Sequence, residues 1–361
     1  MNTEASASGS YEAFRLGVEA AVEWWNYTAA ASGKRQIALD SCAPTDEVST
    51  IACADELVQT NTALVHGVDL YSDLSLPVIE ASGLPVLGGV AVRAVDADAG
   101  NAGLDIGGPP AAHAALAALA ADRQLTSVVV LHDASDVSRE LINRFTRPVL
   151  QDAGIVAAFV EVPPNTTDAT GVVAAASVEL GEAWLVATST RSCGAIAASR
   201  RHFGVTTPVI WGTGCTTPAV LDNYGDLMMD DTVAFELIEP RLLDFVNSEL
   251  RAGYELANQV LLQYDPVLVD DPLAIRGWLV GTRLTQTLDR SGGDLSAARD
   301  VRAPNPISAG EIACGTNPTA ICAADIMFFG WNGSTVEGPM VVVDGLAEPV
   351  AQTSGVAPTS G

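Results

Sequence analysis

The chain has 361 residues, 48% of them hydrophobic, and a mean hydropathy of +0.26. That apolar content excludes a disordered or solvating chain, and the length predicts two folded units rather than one. Acidic residues number 44 against 18 lysines and arginines, a net charge of −26, so the surrounding field excludes nucleic acid and anionic membrane surface as partners.

No apolar run reaches the ~20 residues of a membrane span; the longest, "AAHAALAALAA", ends at Asp122. The opening "MNTEASASGS" has no basic segment followed by an apolar one. It fits either a cytosolic protein or one whose secretion signal has been removed. Six cysteines, Cys42, Cys53, Cys193, Cys215, Cys314 and Cys322, fall in three neighbouring pairs. This clustering points to three local disulfides and therefore to a secreted or cell-envelope protein. Fifteen connectivities remain open to six cysteines, and six buried free thiols are the other reading. There is no CxxC, and the four histidines lack ligand spacing, so no metal and no cofactor are expected.

In chain order, Phe14, Val18, Ala21 and Trp25 fall at helical spacing opposite Glu12, Arg15, Glu19 and Glu23, which predicts an amphipathic helix with Ser10 as its N-cap. Then "RQIALDSC" reads as a strand, "DEVSTIACADELVQTN" as a helix, "ALVHGVDL" as a strand, "SLPVIEASG" as a short helix and "LPVLGGVAV" as a strand. The pattern pauses at the Gly/Pro cluster "NAGLDIGGPP" and restarts. A second series follows: helix "AAHAALAALAADRQL", strand "SVVVLHD", helix "DVSRELINRFTRPVLQDAG", strand "IVAAFVEVP", helix "VVAAASVELGEA", strand "WLVATST", helix "CGAIAASRRHFG" and strand "PVIWGTG". Such alternation predicts α/β architecture with parallel strands joined by right-handed crossovers, in two doubly wound, Rossmann-like lobes. "DDTVAFELIEP" reads as an isolated extended segment returning to the first lobe, followed by helix over residues 241–290 and a terminal hairpin in "AADIMFFGWNGSTVEGPMVVVDG". The expected division is residues 1–106 with 241–322 as lobe 1, 107–240 with 323–346 as lobe 2, and 347–361 as a disordered tail.

No GxSxG, GxxxxGKS/T, HExxH or GxGxxG occurs, so no enzyme fingerprint is met. The segments "EAFRLGVEAAVEWWNYTAAASGKRQIALD", "ALVHGVDLYSDLSLPVIEASGLPVLG", "HDASD", "VPPNTTDAT", "CGAIAASRRHFGVTTPVIWGTG" and "DDTVAFELIEP", in that order, resemble the type I periplasmic solute-binding proteins of ABC transporters. The resemblance is to their branched-chain amino-acid-binding branch, and it covers residues 10–345. It implies two lobes joined by three hinge crossings that close on a small solute and deliver it to a membrane permease, with no catalysis, as an extracytoplasmic monomer. Members carry a strand before the first helix; here that strand is truncated, short, or upstream of the numbered chain.

In such sheets the strands point their carboxyl ends at the crevice, where helix N-termini present unpaired N–H groups. The cleft residues expected on lobe 1 are Ser10, Tyr11, Tyr71, Ser72, Asp73, Ala91, Val92 and Arg93. Lobe 2 should offer Val137, Ser189, Thr190, Arg191, Trp211 and Thr213. The resemblance implies that Ser72 supplies the hydroxyl that grips an amino acid in the family. Val92 stands where a second hydroxyl is usual, and Thr213 where a carboxylate holds the ammonium. Both departures point away from a simple branched-chain amino acid, because an unpaired buried ammonium costs several kcal/mol. Arg191 and Arg93 suit a ligand carboxylate or, equally, a surface ion pair. Tyr71 and Trp211 suit ring stacking or a place in the core. The bridges expected are Cys42–Cys53, Cys193–Cys215 and Cys314–Cys322. A ligand-sensing receptor ectodomain of the same fold is the alternative reading, and an enzyme on a doubly wound scaffold a third.

Overall fold

The computed structural model describes residues 5–6, 9–42, 44–292, 302–304, 311–313 and 320–346. Two short strands, β1 (Ala5–Ser6) and β2 (Gly9–Ser10), precede helix α1 (Glu12–Ser32). Ser10 is not its cap: the helix starts one residue later, and Tyr11 holds the cap position without a side-chain capping bond. Asp46, by contrast, caps α2 (Glu47–Thr60) by accepting the Ser49 N–H at 2.7 Å.

The small sheet is parallel and has the order β3–β4–β5, with β3 at Leu64–His66, β4 at Val86–Gly89 and β5 at Ala102–Gly103. Between β3 and β4 lies α3 (Ser72–Ser82). Residues 35–42, expected to be a strand, have no regular secondary structure and join no ladder among the described residues. The physical reason is that a strand exists only where a neighbour takes its hydrogen bonds, and residue pattern alone does not guarantee that neighbour.

The chain then forms α4 (Gly108–Asp122), β6 (Ser127–Asp133), α5 (Asp136–Leu141), a π-helical turn at Ile142–Thr146, α6 (Arg147–Asp152) and β7 (Val156–Val162). It continues through α7 (Thr170–Val178), β8 (Ala183–Ala187), α8 (Thr190–His202), β9 (Val209–Trp211), α9 (Pro218–Tyr224) and β10 (Thr232–Phe235). Two long helices, α10 (Ser248–Tyr264) and α11 (Pro272–Arg290), follow, then the short strands β11 (Arg302–Pro304) and β12 (Glu311–Ala313) and the hairpin β13 (Asp325–Trp331) with β14 (Val336–Asp344).

The large sheet has seven strands in the order β14–β13–β10–β9–β8–β6–β7. "DDTVAFELIEP" is therefore not isolated: β10 runs parallel to β9 and antiparallel to β13. Both faces of this sheet are buried. Val129, Leu131, Val186, Trp211 and Val233 pack on one side, and Val128, Val130, Leu185, Ile210 and Ala234 on the other, beside the alanines of α4. Two-sided burial is why these strands read as continuous apolar runs.

Beside the small sheet, α1 and α11 press backbone to backbone. A Cβ on Gly17 would collide with the Ala274 carbonyl, and one on Gly277 with the Phe14 carbonyl. The disulfides Cys42–Cys53 and Cys193–Cys215 are present. Cys322 is also disulfide-bonded, while Cys314 and residues 347–361 lie outside the described residues.

Candidate functional site

At the carboxyl ends of β6, β8 and β9 lies a cavity of about 250 Å³. Asp133, Ser135, Ser138, Thr188, Ser189, Thr213 and Gly214 give it a polar rim, while Ala112, Leu116, Val137 and Leu141 give it an apolar floor. The rim is fixed from within. Ser189 donates its N–H to Asp133 at 2.7 Å and its hydroxyl at 3.3 Å. Thr190 donates to the Gly214 carbonyl at 3.1 Å, and the Cys193–Cys215 bridge ties the same two loops. Burial pushes the Asp133 carboxyl up, against the pull of the Ser189 bonds.

His113, buried on α4, reaches this cavity with its Nδ1 3.2 Å from the Thr146 hydroxyl. Burial, helped by the charge of His132, lowers its pKa to about 4, so near neutral pH it is an uncharged hydrogen-bonding group.

The loops that leave β3 and β4 carry a second group of the expected residues. Asp69 accepts the Tyr71 N–H at 2.9 Å and the Ser75 hydroxyl at 2.6 Å, which fixes the entry to α3. Ser72, the first residue of that helix, is wholly buried, and its hydroxyl has no partner. Asp96 accepts the N–H groups of Val92 and Arg93 at 2.6 and 2.9 Å.

The two halves touch. Arg93 bonds Asp73 on its own side and reaches Glu140 of α5 at 3.4 Å. Arg144, on the π-helical turn, pairs with Asp98, and Leu141 and Phe145 are buried among Ala91, Ala94 and Ala97. Beside the crossing into α4, Glu236 accepts the Gly108 N–H at 2.6 Å and pairs with Arg276 at 2.9 Å.

Of the residues expected at the cleft, Val137, Ser189 and Thr213 line the cavity, and Thr190 braces its rim. Tyr71, Ser72, Asp73 and Arg93 cluster on the facing loops, where Ala91 is fully buried and Val92 half-buried against the core. Tyr11 is half-buried at the start of α1, and the Ser10 side chain lies outside the described residues. Two residues sit elsewhere. Trp211 is fully buried and donates its indole N–H to Asp231 at 3.0 Å, as a core residue does; Arg191 is exposed. The sequence reading passed over His113, Ser138, Thr188 and Gly214. A lone histidine in "AAHAALAALAA" was the one available signal.

No protein-family model matches the sequence, and no curated protein is significantly similar to it. Solved structures do match. The fatty acid ABC transporter substrate-binding protein from Thermomonospora curvata gives a TM-score of 0.69 at 13% identity, over 92% of this chain and 88% of that one. A solute-binding protein of an ABC transporter from R. palustris, in complex with 4-hydroxybenzoate, gives 0.68 at 12%, over 94% and 95%. The branched-chain amino acid transporter substrate-binding protein of Streptococcus pneumoniae, in complex with isoleucine, gives 0.66 at 12%, over 95% and 97%. The fold is thus that of the two-lobed type I periplasmic binding proteins. Among the structures that share it are ABC-transporter proteins holding an aromatic acid and an aliphatic amino acid.

Proposed function

We propose that this protein is the extracytoplasmic solute-binding component of an ABC importer, clamping a small organic solute between its lobes and passing it unchanged to a membrane permease. The observation that carries this reading is the Ser72 hydroxyl, fully buried and unpartnered at the first turn of α3, the helix that follows β3. A buried hydroxyl without a partner costs about 1–3 kcal/mol, and a ligand oxygen or nitrogen arriving there removes that cost. The polar-rimmed cavity at the strand ends of the large sheet supplies the second half-site. Residues 1–106 with 241–322 and residues 107–240 with 323–346 are the proposed lobes, and closure shifts the population toward the state in which both touch the solute.

The solute is not a simple branched-chain amino acid. Thr213 brings no charge to the cavity, and both oxygens of its one lining carboxylate, Asp133, already accept from Ser189. The one charge an ammonium group meets among the lining residues is Asp133, whose carboxyl is already engaged by Ser189 and pushed up by burial.

A thermal-shift panel of 4-hydroxybenzoate, a medium-chain fatty acid, small amides and isoleucine tests the proposal, since a ligand that binds the native state raises its melting temperature. A non-amino-acid compound is expected to stabilise the chain and to shrink its scattering radius, with Ser72→Ala weakening that ligand about tenfold. Tight isoleucine binding overturns the solute assignment. Stabilisation without compaction overturns the clamp.

A further inference from the structure

His113 is the one polar side chain of α4 before Asp122, and it is 7% exposed. Its ring is held from behind. Nδ1 stands 3.2 Å from the Thr146 hydroxyl, and the same hydroxyl lies 3.4 Å from the His113 carbonyl. Thr146 is itself buried and does not line the large-sheet cavity. A threonine hydroxyl has only one proton to give. Both bonds form together only when Thr146 donates to the carbonyl and accepts from Nδ1–H, and that leaves Nε2 as the bare nitrogen.

Nε2 makes no hydrogen bond among the described residues, and it is not enclosed. The ring borders the cavity beside Ala112, Leu116, Val137 and Leu141. Groups on the rim are taken up with one another: Ser189 with Asp133, Thr190 with the Gly214 carbonyl, the Ser138 N–H with Ser135. A lone acceptor therefore stands in an apolar wall, an arrangement that costs free energy until a donor reaches it.

We propose that His113 recognises the solute, its Nε2 accepting a hydrogen bond from a neutral hydroxyl or amide N–H whose apolar body lies against Leu116, Val137 and Leu141. This rests on the solute-binding reading above and narrows it. A carboxylate brings a second acceptor and no proton to Nε2, so it is disfavoured at this end of the solute. Burial keeps the imidazole uncharged near neutral pH, and the ring does not become a donor for an anion. An ammonium brings a charge to a wall whose one carboxyl, Asp133, is already engaged by Ser189.

The test is heteronuclear NMR of the full chain carrying isotope-labelled histidine at neutral pH, with His113→Leu to assign the resonances. Phenol and its methyl ether anisole are the probes, alike in shape except that only phenol donates. Without a probe, the Nδ1–H tautomer is expected. Millimolar phenol is expected to move the His113 Nε2 resonance and anisole to leave it in place. His113→Leu is expected to weaken phenol about fivefold and anisole by less than about twofold. An Nε2–H tautomer, equal shifts from the two probes, or a resonance that phenol leaves unmoved overturns the proposal. Thr146→Val keeps the imidazole but removes the bond that sets its tautomer, so the advantage of phenol over anisole is expected to shrink; an undiminished advantage overturns the part given to Thr146. Phenol fills one half-site and asks nothing of lobe closure. Failure here strikes the His113 assignment alone, whereas stabilisation without compaction in the ligand panel strikes the clamp.

Discussion

In the large sheet β6, β8, β9, β10 and β13 each have a hydrogen-bonded neighbour on both edges, whereas in the small sheet, among the described residues, only β4 does. The two are held together differently as a result. The large sheet relies on its ladder and on buried side chains from both faces. Around the small one, tethers stand in for a ladder: Asn26, whose side chain donates to the Ile37 carbonyl and accepts the Ile37 N–H, both at 2.8 Å, the Cys42–Cys53 bridge and the glycine-lined contact of α1 with α11. A three-stranded sheet has few ladder bonds to share, and the surrounding helices and cross-links carry more of the load.

The buried ion pairs show the same contrast, and breaking them gives the largest expected effect. In the large lobe Asp231 accepts from Arg200, from the Trp211 indole and from the Val209 N–H. Asp231→Ala leaves Arg200 buried without its counter-charge and is expected to cost about 3–5 kcal/mol in denaturant unfolding. Beside the small sheet, Asp105 and Arg283 stand 3.6 Å apart, and one Asp105 oxygen is unpartnered. Asp105→Asn is expected to cost no more than about 1 kcal/mol; equal losses at the two sites would break the contrast. Next in size are the disulfides. Replacing Cys193 and Cys215 by serine removes a 22-residue link, and replacing Cys42 and Cys53 an 11-residue one, each worth about 3 kcal/mol on chain entropy. Only the second pair of substitutions is expected to speed amide exchange at Ile37 and Cys42, because only it frees the unladdered segment. Gly277→Ala pushes a methyl group into the Phe14 carbonyl and is expected to lower stability by about 2 kcal/mol. Ala at Gly171, which has open space around it, serves as the control.

The same difference decides what was legible in the sequence. "SVVVLHD" reads as a strand and is β6 residue for residue, because four consecutive apolar residues, Val128 to Leu131, bounded by polar ones have one comfortable place, the middle of a parallel sheet. "RQIALDSC" carries a similar pattern, yet no strand forms. Pairing depends on a neighbour that the segment itself does not encode. "DDTVAFELIEP" failed in the opposite direction: its partners β9 and β13 lie about 20 and 90 residues away by the strand registers, so local pattern could not show them. The rule that sites gather at strand carboxyl ends names Val137, Ser189 and Thr213, which line the cavity there. It does not distinguish a side chain turned to the crevice from one turned to the core, and Trp211 fell on the wrong side. His113 escaped because an alanine-rich helix buried nearly all round presents no polar face against which a histidine stands out.

The smallest expected effect is the dependence of stability on pH, where the two regions again part. Burial raises Asp105, beside the small sheet, to about 7, against the attraction of Arg283. In the large sheet, burial and the facing Asp344 charge raise Asp325 to about 6. A carboxyl whose pKa is higher in the folded state contributes stability that is fully present below its unfolded value near 4 and is lost as the pH rises through the folded value. Asp325 therefore finishes its loss near pH 6 and Asp105 near pH 7. His113 runs the other way: lowered to about 4 by burial, its contribution is complete above about 6.5 and is lost as the pH falls. Between pH 6 and 8 Asp105 is the last of the three still titrating. Denaturant midpoints at pH 6 and pH 8 are expected to fall by about 1 kcal/mol in the parent chain and to stay level in Asp105→Asn. Asp325→Asn is expected to flatten the curve only between pH 4 and 6. If the Asp105 variant keeps the loss between pH 6 and 8, the titrating group lies outside the small sheet, and its weakly paired carboxylate is not what makes that lobe pH-sensitive.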